Sequence, residues 1–148
     1  MPRTIWNSDD RRALLARLDR LSAGSRPQWG RFDAPRMLAH VTDALRTATG
    51  EVRCAPRRSP LRYPPINSLV MFHVPWPKGS PTAPELLARA PAGWPEETAL
   101  LRAAIEAFVT RAPGGAWPDH AAFGRLSGEQ WGRLMHRHID HHWKQFGV

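Results

Sequence analysis

Cysteine and long apolar runs are both scarce in this sequence. Cys54 is the single cysteine among 148 residues, which excludes an intramolecular disulfide and a zinc site built from cysteines. No stretch of about 18 apolar residues occurs, so no transmembrane helix is expected. The N-terminal residues lack the apolar segment of a secretory signal. The expectation is therefore a cytoplasmic protein without a membrane partner.

Lysine is also scarce, although the chain is strongly basic. The formal net charge is +8, and Lys78 and Lys144 are the only lysines, so almost all of the positive charge is arginine. A basic chain brings nucleic acid or an acidic partner into consideration. The arginines are spread through every segment without a dense stripe, which favours a solvated basic surface. No specific nucleic-acid partner is expected.

Strand signals are missing, and amphipathic helices are predicted instead. The length corresponds to one domain, residues 1–148. The predicted helices are Ser8–Leu21, Asp33–Thr49, Glu96–Ala112 and Ser127–Phe146, with N-caps at Ser8, Asp33 and Ser127 and stops at Gly50 and Gly147. Four such helices, with one long crossover between the second and the third, form an all-α four-helix bundle.

Proline is concentrated in Glu51–Pro95, the crossover between the second and third predicted helices. The prolines there are Pro56, Pro60, Pro64, Pro65, Pro75, Pro77, Pro81, Pro84, Pro91 and Pro95. This density excludes a long helix, and Asn67–His73 is either a short helix or an extended segment. Arg53, Arg57 and Arg58 (with Arg62) can bind an anionic ligand or can simply be exposed loop charges. Crossovers of this length are often functional lids.

The last predicted helix carries four histidines. A helical wheel places His138 and His142 near the middle of its apolar face, His141 at the edge and His136 pointing away. Two imidazoles four residues apart on one face can bind a single metal ion. The alternative is a pair of core histidines, which needs partners for four ring nitrogens because unpaired buried polar groups are costly. The spacing favours the metal site.

His40, on the flank of the inner face of the second helix, is the third candidate ligand. Asp43 either accepts a hydrogen bond from His40 or is plain helix surface. His73 and His120 lie outside the helices and either approach the site or are exposed. Three imidazoles leave a fourth position for water or a thiolate, which is the pattern of catalytic rather than structural metal sites. Because Cys54 lies far from the histidines along the chain, a sulfur nucleophile is expected to come from a small thiol or a substrate.

The histidine motifs resemble those of a known superfamily. The second helix contains LAHVTDALR, and the chain closes with FGRLSGEQWGRLMHRHIDHHWKQFG. These motifs resemble the DinB-like (YfiT-like) superfamily of metal-binding four-helix bundles, and in particular a branch that ends in a similar HxDHHxxQFG pattern. The proline-rich crossover carries no such resemblance.

The resemblance implies a three-histidine site for a divalent metal such as zinc, nickel or iron, with His40, His138 and His142 as the ligands. Some members of the superfamily are thiol S-transferases that use bacillithiol, mycothiol or glutathione, and another is a mycothiol-dependent isomerase. The HRG turn that commonly follows the last ligand is replaced here by His142–Trp143–Lys144.

Three functions remain as alternatives at this point. The first is a metal-dependent enzyme acting on a small molecule, either a transferase with a low-molecular-weight thiol as cosubstrate or a hydrolase. Arg53, Arg57 and Arg58 are then candidates to hold the carboxylates of the thiol, because a guanidinium matches a carboxylate bidentately. The second is a metal-binding protein without turnover, acting as one half of a homodimer. The third is a basic nucleic-acid binder.

Overall fold

The computed structural model describes residues 1–148 as an all-α chain with five α-helices and no β-strand. The helices are α1 (Ser8–Leu18), α2 (Ala34–Thr49), α3 (Ile66–Phe72), α4 (Trp94–Val109) and α5 (Gly128–Gln145). Two 3-10 helices, Pro60–Arg62 and Pro84–Leu86, lie between α2 and α4. None of the helices has the length and apolarity needed to cross a membrane. The all-α prediction is confirmed.

The two helices that carry the histidines have the predicted caps. The Asp33 side chain accepts a hydrogen bond from the N–H of Arg36, and Gly50 ends α2 with a φ of 84°. Ser127 and Gln130 form a reciprocal capping box at the start of α5. Their boundaries therefore follow from local side-chain chemistry.

The other two predicted helices differ at their ends. The cap of α1 is Asn7 rather than Ser8, because its side chain accepts from the N–H groups of Asp9 and Asp10. This helix ends at Leu18, three residues before the predicted Leu21. Helix α4 begins at Trp94, with Pro95 in its first turn, and ends at Val109 instead of Ala112.

Helix α2 is the central element of the fold. It packs against α4 and α5, and α1 packs against α5. The core between them is a cluster of 22 buried apolar residues, whose largest members include Trp131, Trp143 and Phe108. The indole N–H groups of Trp143 and Trp131 donate to the carbonyls of Leu14 (2.8 Å) and Pro118 (3.1 Å), so the buried rings leave no unpaired donor.

The α2–α4 segment, residues 50–93, contains only short helices, and arginine side chains tie it to the helices. Arg36 of α2 donates to the carbonyls of Leu87 (3.1 Å) and Arg89 (2.7 Å). Arg137 of α5 donates to the carbonyls of Met71 and Val74. These guanidinium groups satisfy carbonyls that no helix or sheet pairs.

A buried ion cluster holds the end of this segment. Arg89 donates to both carboxylate oxygens of Asp43 at 3.3 Å and is bidentate to Glu97. Asp43 is 3% exposed and its second cationic partner is Arg46. Asp43 is therefore neither plain helix surface nor a hydrogen-bond partner of His40, and both interpretations of this residue are wrong.

Candidate metal centre

Three histidine side chains from two helices converge at one point. His40 lies on α2, and His138 and His142 lie one turn apart on α5. Nε2 of His138 is 3.0 Å from Nε2 of His40 and 3.1 Å from Nε2 of His142. One nitrogen from each ring lies within 4.8 Å of both others. The structure thus brings together the three residues that the sequence singled out.

The three rings are neutral at ordinary pH. Burial lowers the pKa of His40 to about 3, with His142 as the second cause. Burial also lowers the pKa of His142 to about 4. The pKa of His138 is lowered well below its ordinary value, first by burial and then by His142 and His40. A neutral imidazole is the form that binds a metal ion.

Gln145 orients His142. The side-chain oxygen of Gln145 is 2.8 Å from Nδ1 of His142, and its amide nitrogen donates to the carbonyl of Trp29 at 2.9 Å. The amide orientation therefore makes Gln145 the acceptor, and the single proton of a neutral His142 lies on Nδ1. Nε2 of His142 then presents a lone pair to the other two rings, as a metal ligand requires.

The spacing of the nitrogens fits a shared metal ion. Two nitrogens bound about 2.0–2.1 Å from one ion, at angles of about 90–109°, lie roughly 2.8–3.4 Å apart. The two separations from Nε2 of His138, 3.0 and 3.1 Å, fall in that range, and the nitrogens of His40 and His142 lie within 4.8 Å of each other. Hydrogen bonds alone do not satisfy the trio, because Nε2 of His138 has at most one proton to share between two neighbours. The donor set therefore fits a divalent cation.

His40 is oriented by packing rather than by a hydrogen bond. Its Nδ1 is buried without a partner. The backbone of Leu86 raises the pKa of His40, and burial lowers it by more. The ring stacks at a tilt against Phe32, with centroids 5.2 Å apart. Packing against Phe32 thus helps to orient this ligand candidate.

The trio opens onto a cavity of about 940 Å³. Aromatic side chains supply much of its wall, namely Trp29, Phe32, Trp76 and Phe123. Its polar lining includes Arg53, Cys54, Arg57, His120, His141 and Gln145. A volume of this size accommodates a small molecule beside the histidines.

The other candidates from the sequence are divided between the cavity and the surface. All three arginines are exposed, and Arg53 and Arg57 line the cavity whereas Arg58 lies outside it. His73 is exposed and also lies outside the cavity. His136 points away from the trio, as predicted. It is nevertheless buried, with 6% of its surface exposed, and it lines a separate cleft with Arg3 and Asp140.

Sequence reasoning missed two residues of the site. Cys54 was placed away from the histidines because of its distance along the chain, but the α2–α4 segment returns it to the cavity wall. Burial raises the pKa of its thiol, with Glu85 as the second cause, so Cys54 is not an activated thiolate. The role of Gln145 was also missed, although its i+3 spacing from His142 was a usable signal.

One comparison with known proteins gives a match. A family model described as "Protein of unknown function (DUF1569)" covers residues 5–147. No curated protein and no solved structure gives a significant match.

Proposed function

The chain belongs to the DUF1569 family, and from the convergence of its three histidines we propose that it binds one divalent metal ion through His40, His138 and His142. Zinc, nickel and iron are the candidate ions, since imidazole suits all three. In this proposal the four long helices are a DinB-like four-helix bundle, residues 1–148 are one domain, and the α2–α4 segment is its crossover. The convergence of three neutral ring nitrogens is the observation that carries the proposal.

The second part of the proposal is that the site is catalytic and acts on a small molecule. A divalent ion held by three imidazoles supplies Lewis-acid chemistry, lowering the pKa of a water or thiol that reaches it. Aromatic side chains form part of the cavity wall, and the cavity has room for a substrate beside the histidines. Both features are typical of active sites rather than of closed structural metal sites.

We propose that the reaction transfers a low-molecular-weight thiol to an electrophile. Arg53 and Arg57 lie in the cavity wall, where guanidinium groups can bind the carboxylates of such a thiol. Arg58 loses support as a third member of this set because it lies outside the cavity. Cys54 lines the cavity with a raised pKa, which leaves the cosubstrate as the source of the reactive sulfur.

The basic charge is better assigned to structure than to a nucleic-acid partner. Several guanidinium groups are bonded to backbone carbonyls, including those of Arg11, Arg17, Arg36, Arg62, Arg111 and Arg137. Arginines used in this way are less available to phosphates. A binding assay at two salt concentrations tests this assignment, since phosphate-driven complexes weaken steeply with salt.

The metal site is tested by mass spectrometry on protein purified without a His-tag. We expect about one equivalent of a divalent metal, lost in each of His40→Ala, His138→Ala and His142→Ala. His136→Ala is the matched control, because it removes a buried imidazole from the same helix outside the trio. A metal content that is unchanged in all four variants would rule out the site.

Turnover separates the enzymatic functions. The metal-loaded protein is assayed with glutathione, mycothiol and bacillithiol against a panel of electrophiles, with water as the control nucleophile. Reaction with a thiol supports the transferase, and reaction with water alone favours the hydrolase. If neither screen shows turnover, and wild type is indistinguishable from His138→Ala, the function that remains is metal binding without catalysis.

A further inference from the structure

The loop between α4 and α5 holds His120 in a fixed position. Two backbone hydrogen bonds join His120 and Gly124, at 2.8 and 2.9 Å. Arg62 of the α2–α4 segment donates to the carbonyls of Ala121 (2.6 Å) and His120 (3.2 Å). Gly124 has a φ of 70°, and a Cβ at this residue would lie 2.6 Å from the carbonyl oxygen of Arg62. The loop is therefore closed on itself and clamped from outside.

The same loop sets the tautomer of His120. Its Nδ1 accepts hydrogen bonds from the backbone N–H groups of Ala122 (3.1 Å) and Phe123 (3.2 Å). A nitrogen that accepts from two donors carries no proton, so the proton of the neutral ring lies on Nε2. Burial, and secondarily Arg62, lowers the pKa of His120 to about 4, so the ring is neutral at physiological pH.

The Nε2–H of His120 has no acceptor within the protein. The side-chain hydrogen bonds of this residue are confined to Nδ1. The fully buried polar side-chain atoms that lack a partner are Nδ1 of His40 and Oγ1 of Thr42. Nε2 of His120 is not one of them, so it is accessible from the cavity. His120 lines the same cavity as the three-histidine trio. The structure thus presents a fixed donor whose partner is not part of the chain.

We propose that His120 is a ligand-binding residue whose Nε2–H donates a hydrogen bond to a carboxylate or carbonyl oxygen of the small molecule in the cavity. The aromatic wall of Trp29, Phe32 and Trp76 selects a compound with an apolar body. His120 acts as a donor and not as a general base, because Nδ1 is occupied and Nε2 is already protonated. This inference rests on the proposed function in one respect only: both place a small molecule in the cavity.

Two substitutions separate the donor from the loop that holds it. In His120→Asn the amide oxygen can take the place of Nδ1 and keep both backbone hydrogen bonds, but the shorter side chain leaves no donor at the place of Nε2. In His120→Gln the longer amide can reach the place of Nε2 and restores a donor. The probe is benzoate, which combines a carboxylate with an aromatic ring. Fluorobenzene, with the same ring and no oxygen, is the matched control ligand.

Binding is measured by NMR titration on the protein as purified, with its metal content recorded. We expect His120→Asn to weaken benzoate at least tenfold, since a hydrogen bond to a charged acceptor is lost. His120→Gln should recover most of that loss, and fluorobenzene should bind all three proteins alike. Failure of benzoate to bind wild type, or equal benzoate affinity in wild type and His120→Asn, overturns the proposal.

Imidazole ¹⁵N spectra give a readout that does not need a folded variant. We expect Nε2 of wild-type His120 to carry the proton from pH 8 to pH 5 and its N–H to shift when benzoate is added. A proton on Nδ1 overturns the proposal even if His120→Asn fails to fold. If the protein holds no metal but binds benzoate through His120, the proposed metal site is wrong and the inference about His120 stands. If the protein binds metal but substitution of His120 does not change benzoate affinity, the inference about His120 is wrong and the proposed metal site stands.

Discussion

The two sides of the cavity are built by different physical means. On one side, α2 and α5 set the histidines by helical spacing and hold them with a core of 22 buried apolar residues. On the other side, the α2–α4 segment and the loop before α5 have little regular structure. Arginine side chains fix that wall by donating to its carbonyls. One side thus depends on packing and the other on directional hydrogen bonds.

This difference explains where the positive charge is used. An irregular segment leaves carbonyl groups without backbone partners, and a guanidinium can satisfy two at once with charge-assisted hydrogen bonds. Arg36, Arg62 and Arg137 each do so, and Arg62 reaches the loop that carries His120. Arg137 uses both terminal nitrogens of its guanidinium group, which the single ammonium of lysine cannot do, whereas Arg36 and Arg62 each use one nitrogen for both carbonyls. These arginines therefore have a structural role in this fold.

The largest effect is expected on the packed side. Ile139→Ala removes a fully buried side chain of α5, next to His138, and should lower the free energy of unfolding by about 2–5 kcal/mol. Urea denaturation measures it. Leu69→Ala, at an apolar residue that is 53% exposed, is the control and should change stability by less than about 0.5 kcal/mol. Similar losses in both variants would mean that the core does not hold the helices as described.

A smaller effect is expected on the hydrogen-bonded side. Arg89→Ala leaves the buried carboxylates of Asp43 and Glu97 without their shared cation. The loss should be about 2–3 kcal/mol, below the 3–5 kcal/mol of fully buried pairs, because the Arg89 side chain is 29% exposed. Limited proteolysis should cut the α2–α4 segment first.

The control for Arg89 is an exposed ion pair. Arg12→Ala breaks the contact with Asp9, in which both side chains are more than two-thirds exposed (75% and 78%), and should cost less than about 1 kcal/mol. Proteolysis that begins in α1 or α4 of Arg89→Ala would contradict a local role for the cluster.

A third effect is the pH dependence of stability, to which both sides of the cavity contribute. The pKa values of His40, His142 and His120 are lowered to about 3, 4 and 4, so the folded protein binds fewer protons than the unfolded chain. Their contribution is fully present above about pH 6.5 and is lost as the pH falls toward about 4. Metal-free protein should therefore be less stable at pH 4.5 than at pH 7.5.

One variant isolates the contribution of His120 to this pH dependence of stability. His120→Asn removes one of the lowered groups and should reduce the stability difference between the two pH values, while His40 and His142 keep theirs. Urea denaturation at both pH values measures the difference. If the difference in stability between the two pH values is the same in wild type and His120→Asn, then His120 is not buried from solvent in the way the structure shows.

The two sides also differ in how far they could be predicted from the sequence. His138 and His142 are four residues apart, and helical periodicity alone puts them on one face. The caps Asp33 and Ser127 are equally local signals, and both were correct. Cys54 and His120 lie more than sixty residues apart, and nothing periodic links them. Their arrival in one cavity depends on the path of the irregular segment, which tertiary hydrogen bonds determine.

Asp43 shows the same limit within a helix. Its position on α2 was predictable, but its burial depends on Arg89, which approaches from the irregular segment 46 residues later. Local patterns therefore predicted which residues share a helix face. They did not predict which charges the segment would bring to them.

Gln145 joins the three-histidine cluster to a distant part of the chain. Its side chain bonds both Nδ1 of His142 and the carbonyl of Trp29, and its backbone carbonyl accepts from the N–H of Gln28 at 2.7 Å. One residue thus links His142 to the loop before α2. Coupling of this kind is reciprocal, so ordering that loop and orienting His142 favour each other by the same free energy.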